Sequence, residues 1–164
     1  MRPAEDKILD YNQAAAWRQT LRAPGRKLVM TNGCFDLLHR GHVTYLSQAR
    51  REGDALLVAI NSDASLRELK GPTRPVVLQE DRAYLLASLE CVDAVVIFKH
   101  RQPIDLFELL RPDIYVKGGD YTEDTIDQDE RQVLNRLAIP IRFIPFIRGY
   151  STSQMLARIR AAGG

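Results

Sequence analysis

A chain of 164 residues with 45% hydrophobic and 27% charged residues has the composition of one ordinary globular domain, which excludes a disordered or fibrous chain. A domain near this size buries roughly 68–70% of its unfolded surface, enough for a true core. The net charge of +2, without any run of lysine or arginine, argues against a nucleic-acid partner and leaves room only for a local basic patch matched to a small anion.

In chain order, an amphipathic helix is predicted over about 10–22, followed by a catalytic core over about 27–160. Five short apolar runs read as strands: Lys27–Asn32, Ala55–Asn61, Ala94–Phe98, Asp113–Lys117 and Ile141–Phe146. Most are near-continuous aliphatic runs, the pattern of parallel strands covered on both faces. Between them lie helical patterns at about 41–52, 63–69, 79–90, 103–110 and 127–138, and a last one at about 151–160. Strict alternation of strand and helix implies right-handed crossovers and a doubly wound, mostly parallel five-stranded α/β sheet within a single domain, 1–164. The stretch Lys70–Arg82, with two prolines and a glycine, reads as the longest loop, either a lid or a plain surface loop.

Cys34 and Cys91 lie far apart, with no paired metal-knuckle spacing. Free thiols of a cytosolic protein are expected, one disulfide being the alternative. The opening MRPAEDKILDYNQ lacks the apolar core of a signal peptide, and no apolar run reaches the roughly 20 residues of a membrane span. A soluble, cytoplasmic protein without a membrane partner is expected.

Ligands of doubly wound sheets bind beyond the carboxyl ends of the strands. Here those ends read GCFDLLHRGH, NSD, KGGDY and IRGYSTS. His39 falls in the loop after the first strand and His42 in the first turn of the next helix, where free backbone N–H groups and the helix dipole favour an anion. Gly41 between them lets backbone approach a ligand. Either as neutral donors or as imidazolium, the two rings suit charge building on a phosphate and its leaving group. A zinc site fails on ligand count, since only His100 and a cysteine remain. No G-x-S-x-G elbow or G-x-G-x-x-G fingerprint occurs, which disfavours a serine hydrolase and a dinucleotide oxidoreductase.

The segment GCFDLLHRGHVTYL resembles the H-x-G-H signature of the nucleotidyltransferase superfamily, in its cytidylyltransferase-like, Rossmann-like branch. With LKGPTRPVVLQEDR, KGGDY and GYSTSQML, the chain resembles the heptose-1-phosphate adenylyltransferases, which make ADP-heptose for lipopolysaccharide and other bacterial surface glycans. The likeness runs from about Leu28 to Ile159. Some relatives carry a fused sugar kinase; no kinase-like segment occurs in these residues, so the stand-alone form is expected.

The resemblance implies transfer of AMP from ATP to D-glycero-D-manno-heptose 1-phosphate, with Mg²⁺ accompanying the ATP. It implies that His39 and His42 stabilise the triphosphate and that Lys70 reaches the phosphates from a mobile loop. Asn32, Gly33, Cys34 and Phe35 would contact the nucleotide, as would Lys117, Gly119 and Asp120 near base and ribose. Ser151 and Thr152 would open a phosphate-facing helix, in a Ser-Thr-Ser where the family usually has Ser-Thr-Thr. Arg82 and Arg148 would bind substrate phosphate. Asp36 would orient the first loop or hold Mg²⁺ through water. Cys34 reads as small packing rather than a nucleophile. Leu85, Leu86 and Leu89 read as core, a dimer surface being the alternative for some of them; a homodimer or higher homo-oligomer is expected by analogy, with Glu90–Phe98 near the interface.

Three other readings compete. A cytidylyltransferase for glycerol 3-phosphate would share fold and histidines. A non-catalytic ATP sensor would bind without turnover. A fragment of an aminoacyl-tRNA synthetase shares a similar motif but fails on length and on the missing basic surface.

Overall fold

The computed structural model describes residues 2–119, 121–122, 125–145 and 150–162. After a single 3₁₀ turn come β1 (Ile8–Leu9), α1 (Tyr11–Arg22), β2 (Leu28–Gly33), α2 (Arg40–Arg50) and β3 (Ala55–Asn61). Then follow α3 (Asp63–Lys70), α4 (Gln79–Ala87), β4 (Ala94–Phe98), α5 (Ile104–Leu110) and β5 (Ile114–Gly118), and last α6 (Gln128–Arg136), β6 (Ile141–Ile144) and α7 (Thr152–Ala162).

The sheet has six strands in the order β1-β4-β3-β2-β5-β6, every recorded pair parallel. The expected count of five is therefore one short. The missed strand, β1, is two residues long and pairs Ile8 with Val95 and Leu9 with Val96 at the sheet edge, too short to show a period of two. Phe146, expected to end the last strand, lies outside the described residues.

Alternate strand residues feed two separate cores. Leu28, Met30, Leu57, Val96 and Tyr115 pack under α1, α5 and α6. Val29, Leu56, Val58, Val95 and Val116 pack under α2 and α4. Covering both faces is what makes these strands read as unbroken apolar runs. Local chemistry sets the helix starts: Asp10 and Gln13 form a reciprocal capping box on α1, and the Ser62 hydroxyl accepts from Ser65 N at 3.2 Å on α3.

From β2 the chain steps through β3 to β4 on one side, then returns to place β5 against β2 on the other. Strand order thus reverses at β2 and β5, and the crevice at their carboxyl ends is where such a sheet holds its ligand.

Candidate active site

A cleft of about 450 Å³ opens at this reversal, within the range of small-ligand sites. Its floor is the end of β2, held from both faces of the sheet. On one face Tyr45 of α2 lies 2.5 Å from the Thr31 hydroxyl and donates to Val116 O at 3.1 Å. On the other, the Tyr115 hydroxyl meets the Asn32 side chain. Asn32, Gly33, Cys34 and Phe35 all line the cleft, as the sequence reading expects.

His39 is the N-cap of α2, its Nδ1 accepting weakly from His42 N at 3.4 Å. The two imidazoles stack with centroids 3.8 Å apart and planes 17° from parallel, and the edge of Phe35 closes the far side of His42 at 5.1 Å. His42 lines the cleft, with His39 stacked against it. Gly41 serves this stack: a Cβ there would come within 3.0 Å of the His39 ring and of Tyr150 Cβ, so its missing side chain leaves room for the neighbouring side chains.

Burial, and secondarily the neighbouring His39, push the His42 imidazole down from its ordinary 6.5 to about 4, against a backbone contact with Leu37 that raises it. Burial lowers His39 as well. Of the two forms the sequence leaves open, the free protein therefore holds the neutral rings at neutral pH. His42 Nδ1 is shut off from solvent and makes no hydrogen bond of good geometry among the described residues, the ring's backbone interaction being with Leu37.

Lys70 ends α3 rather than riding a loop, and it lines the cleft with an exposed side chain. The irregular segment is shorter than expected, 71–78, and it is latched down. Asp36, 2% exposed, accepts from Val76 N at 2.8 Å and Val77 N at 2.9 Å, and its other oxygen accepts from Arg74. Both oxygens of Asp36 are thus committed to orienting loops, the first of its two expected roles. Among the described residues no group of three His, Cys, Asp or Glu side chains is placed to hold a metal.

Arg82 is a correction. It is 1% exposed and donates to Val77 O at 3.0 Å, Cys34 O at 2.6 Å, Asn61 O at 2.9 Å and Asp63 Oδ1 at 2.7 Å. It ties the ends of β2 and β3 to α4 and does not line the cleft. Cys34 Sγ lies 3.8 Å from Asn61 Oδ1, and burial raises its thiol despite nearby Lys70, which disfavours the thiolate.

On the opposite wall Lys117 lines the cleft, but its ammonium donates to Glu130 at 2.8 and 3.0 Å and to Tyr115 Oη at 3.1 Å. Gly119 has φ of +108°, the left-handed turn read from the paired glycines. Ser151 caps α7, its hydroxyl accepting from Gln154 N at 3.1 Å, and Thr152 and Ser153 line the cleft. Asp120 and Arg148 lie outside the described residues.

A family model described as cytidylyltransferase-like matches residues 30–158. The chain belongs to the cytidylyltransferase-like family. Among relatives of this cytidylyltransferase-like chain is the bifunctional protein HldE of a Nitratiruptor species, 46% identical over 97% of this chain and 33% of that protein. The bifunctional protein HldE of Geobacter sulfurreducens is 48% identical over 87% of this chain and 29% of its own length. The chain spans about a third of the curated relatives it matches. A solved structure of the lipopolysaccharide core biosynthesis protein from Thermoplasma volcanium superposes with a TM-score of 0.62 at 27% identity, over 77% of this chain and all of that one. The pantoate-beta-alanine ligase of Francisella tularensis, solved with ATP analogue and beta-alanine, shares the fold at a TM-score of 0.57 and 17% identity, over 86% of this chain and 67% of that one.

This cytidylyltransferase-like cleft also holds residues the sequence reading passed over: Arg74, Arg101, Gln102 and Tyr121. Arg101 and Gln102 follow β4, an interior strand whose carboxyl end is a ligand-side position by the rule for doubly wound sheets. Glu130 was hidden for another reason: in the polar run DQDER it looks like a solvated helix face, yet it is fully buried.

Proposed function

We propose that the chain is a nucleotidyltransferase that moves AMP from ATP to D-glycero-D-manno-heptose 1-phosphate, releasing pyrophosphate. One observation carries the reaction class: a neutral, stacked histidine pair at a helix N-terminus, with His42 lining the cleft. A triphosphate there would meet the imidazole pair and the free N–H groups at the start of α2.

A phosphate oxygen of the sugar attacks the α-phosphorus; the new P–O bond forms as the bond to the β-phosphate oxygen breaks, and pyrophosphate takes the electron pair. No proton transfer to the acceptor is needed, because that oxygen is already anionic. The residues act by positioning and by stabilising charge as it builds. Incoming negative charge raises the His42 pKa, so the ring gains proton affinity as the transition state forms. Lys70 adds a point charge from the end of α3. Mg²⁺ enters with ATP as part of the substrate, held by phosphate oxygens. The motif likeness and the bifunctional relatives support the heptose acceptor. No helix among the described residues is long and apolar enough to cross a membrane, and the use of ATP fits a reaction in the cytoplasm.

The test is pyrophosphate release from ATP, CTP, GTP and UTP, each with heptose 1-phosphate and with glycerol 3-phosphate, in the presence of Mg²⁺. Turnover with ATP and the heptose phosphate alone is expected. Turnover with CTP and glycerol phosphate would overturn the substrates and keep the chemistry; ATP binding without turnover would overturn the chemistry.

A further inference from the structure

Behind the nucleotide wall lies a buried chain of polar groups that the reaction above does not use. Tyr115 and Glu130 are both fully buried. The Tyr115 hydroxyl is within hydrogen-bond distance of Glu130 Oε1, of the Asn32 amide at its Oδ1 position, and of Lys117 Nζ at 3.1 Å. One phenol carries one proton. Lys117 is donor-only and takes one of the oxygen's lone pairs. Glu130, with both oxygens on the Lys117 ammonium, is acceptor-only and claims the phenol proton. With the amide oxygen against the phenol, two oxygens would then face each other without a proton between them, in a site where no water reaches Tyr115. An amide's oxygen and nitrogen have nearly the same shape, so the surrounding network decides which is which. Turning the Asn32 amide over removes the conflict: NH₂ donates to Tyr115, Tyr115 donates to Glu130, and every group is satisfied.

We infer that Glu130 is a positioning residue which, through Tyr115, locks the Asn32 amide with its carbonyl oxygen facing the cleft, making this wall a selective acceptor for a hydrogen-bond donor on the nucleotide. The donor is a hydroxyl of the ribose or an amino group of the base; both are O–H or N–H groups, and Asn32 is at the cleft wall to receive them. The polarity of the wall is thus set two bonds away, by a carboxylate that touches no ligand. The inference rests on the nucleotide-transfer reading.

The experiment measures kcat and KM for ATP, 2′-deoxy-ATP, 3′-deoxy-ATP and the triphosphate of purine riboside, which lacks the 6-amino group. Direct Mg·ATP binding is measured alongside. In the unmodified protein one of the three analogues is expected to show a KM about tenfold higher than ATP with little change in kcat, the worth of one hydrogen bond. In Glu130→Gln the amide can donate to Tyr115, Tyr115 then donates to Asn32, and the cleft meets an N–H instead. That tenfold discrimination is expected to fall to about onefold, and likewise in Tyr115→Phe, which leaves the Lys117–Glu130 pair in place. A role in stability alone would lower the melting temperature and leave the discrimination ratio intact, which overturns the inference. So would an unmodified protein that binds Mg·ATP and turns over all four nucleotides alike. Failure of the unmodified protein to bind Mg·ATP would overturn the nucleotide-transfer reading itself, and this inference with it.

Discussion

The two walls of the cleft are built in opposite ways. On the α2 side the capping bond is long, and burial holds the His42 ring neutral. On the β5 side Lys117, Tyr115, Glu130 and Asn32 form a closed set, with donor and acceptor matched once the Asn32 amide is turned as inferred above. The first wall offers two neutral rings beside a helix start; the second is a buried network tied across three elements. In the proposed reaction the first would stabilise developing charge and the second would select the nucleotide by shape and polarity.

The largest expected effect breaks both walls together. Arg82 spans the ends of β2 and β3 with four hydrogen bonds, so Arg82→Ala strands Asp63 and three backbone carbonyls. A loss of about 3–5 kcal/mol is expected, read by chemical denaturation, because one partner of a buried pair is removed. Were Arg82 a substrate-phosphate ligand, KM would rise and stability would hold.

Next, His42→Ala separates the walls. A fall in kcat of about 10²–10³ is expected, the usual cost of a transition-state donor, while the ATP-analogue selectivity of the β5 wall persists. Single-turnover rates check the first, and KM ratios the second.

Stability against pH distinguishes the walls without changing substrate. His42 has a lowered folded pKa, so the unfolded chain binds the proton more readily. Its contribution is present above pH 6.5 and is lost as pH falls from 6.5 to about 4. The melting temperature should decline across that window, and His42→Gln should flatten part of the decline.

The smallest effect belongs to Lys70, exposed at the end of α3. Lys70→Ala should weaken turnover by about tenfold, within the range of a single charge-assisted contact, with an unchanged melting temperature.

Sequence made the histidine wall legible and left most of the other wall hidden. An H-x-G-H after a buried strand announces itself because the chemistry lies within four consecutive residues. The β5 wall draws Asn32, Tyr115 and Glu130 from three separate elements, joined only by the β2–β5 pairing and the packing of α6. Tyr115 reads as one more apolar strand residue and Glu130 as one more surface charge. Arg82 misled for the same reason: its partners come from the ends of two strands that no local pattern brings together. β1 escaped because two residues carry no periodicity, and only its pairing with β4 makes it a strand.

The most direct test of the histidine wall's proposed role is an NMR titration of His42, alone and with a non-hydrolysable ATP analogue and Mg²⁺. The account predicts an imidazole that titrates near 4 in the free protein and shifts upward by at least one unit when the triphosphate is bound, as an anion beside it requires. A His42 that binds its proton equally with and without the analogue, although the analogue is bound, would contradict it.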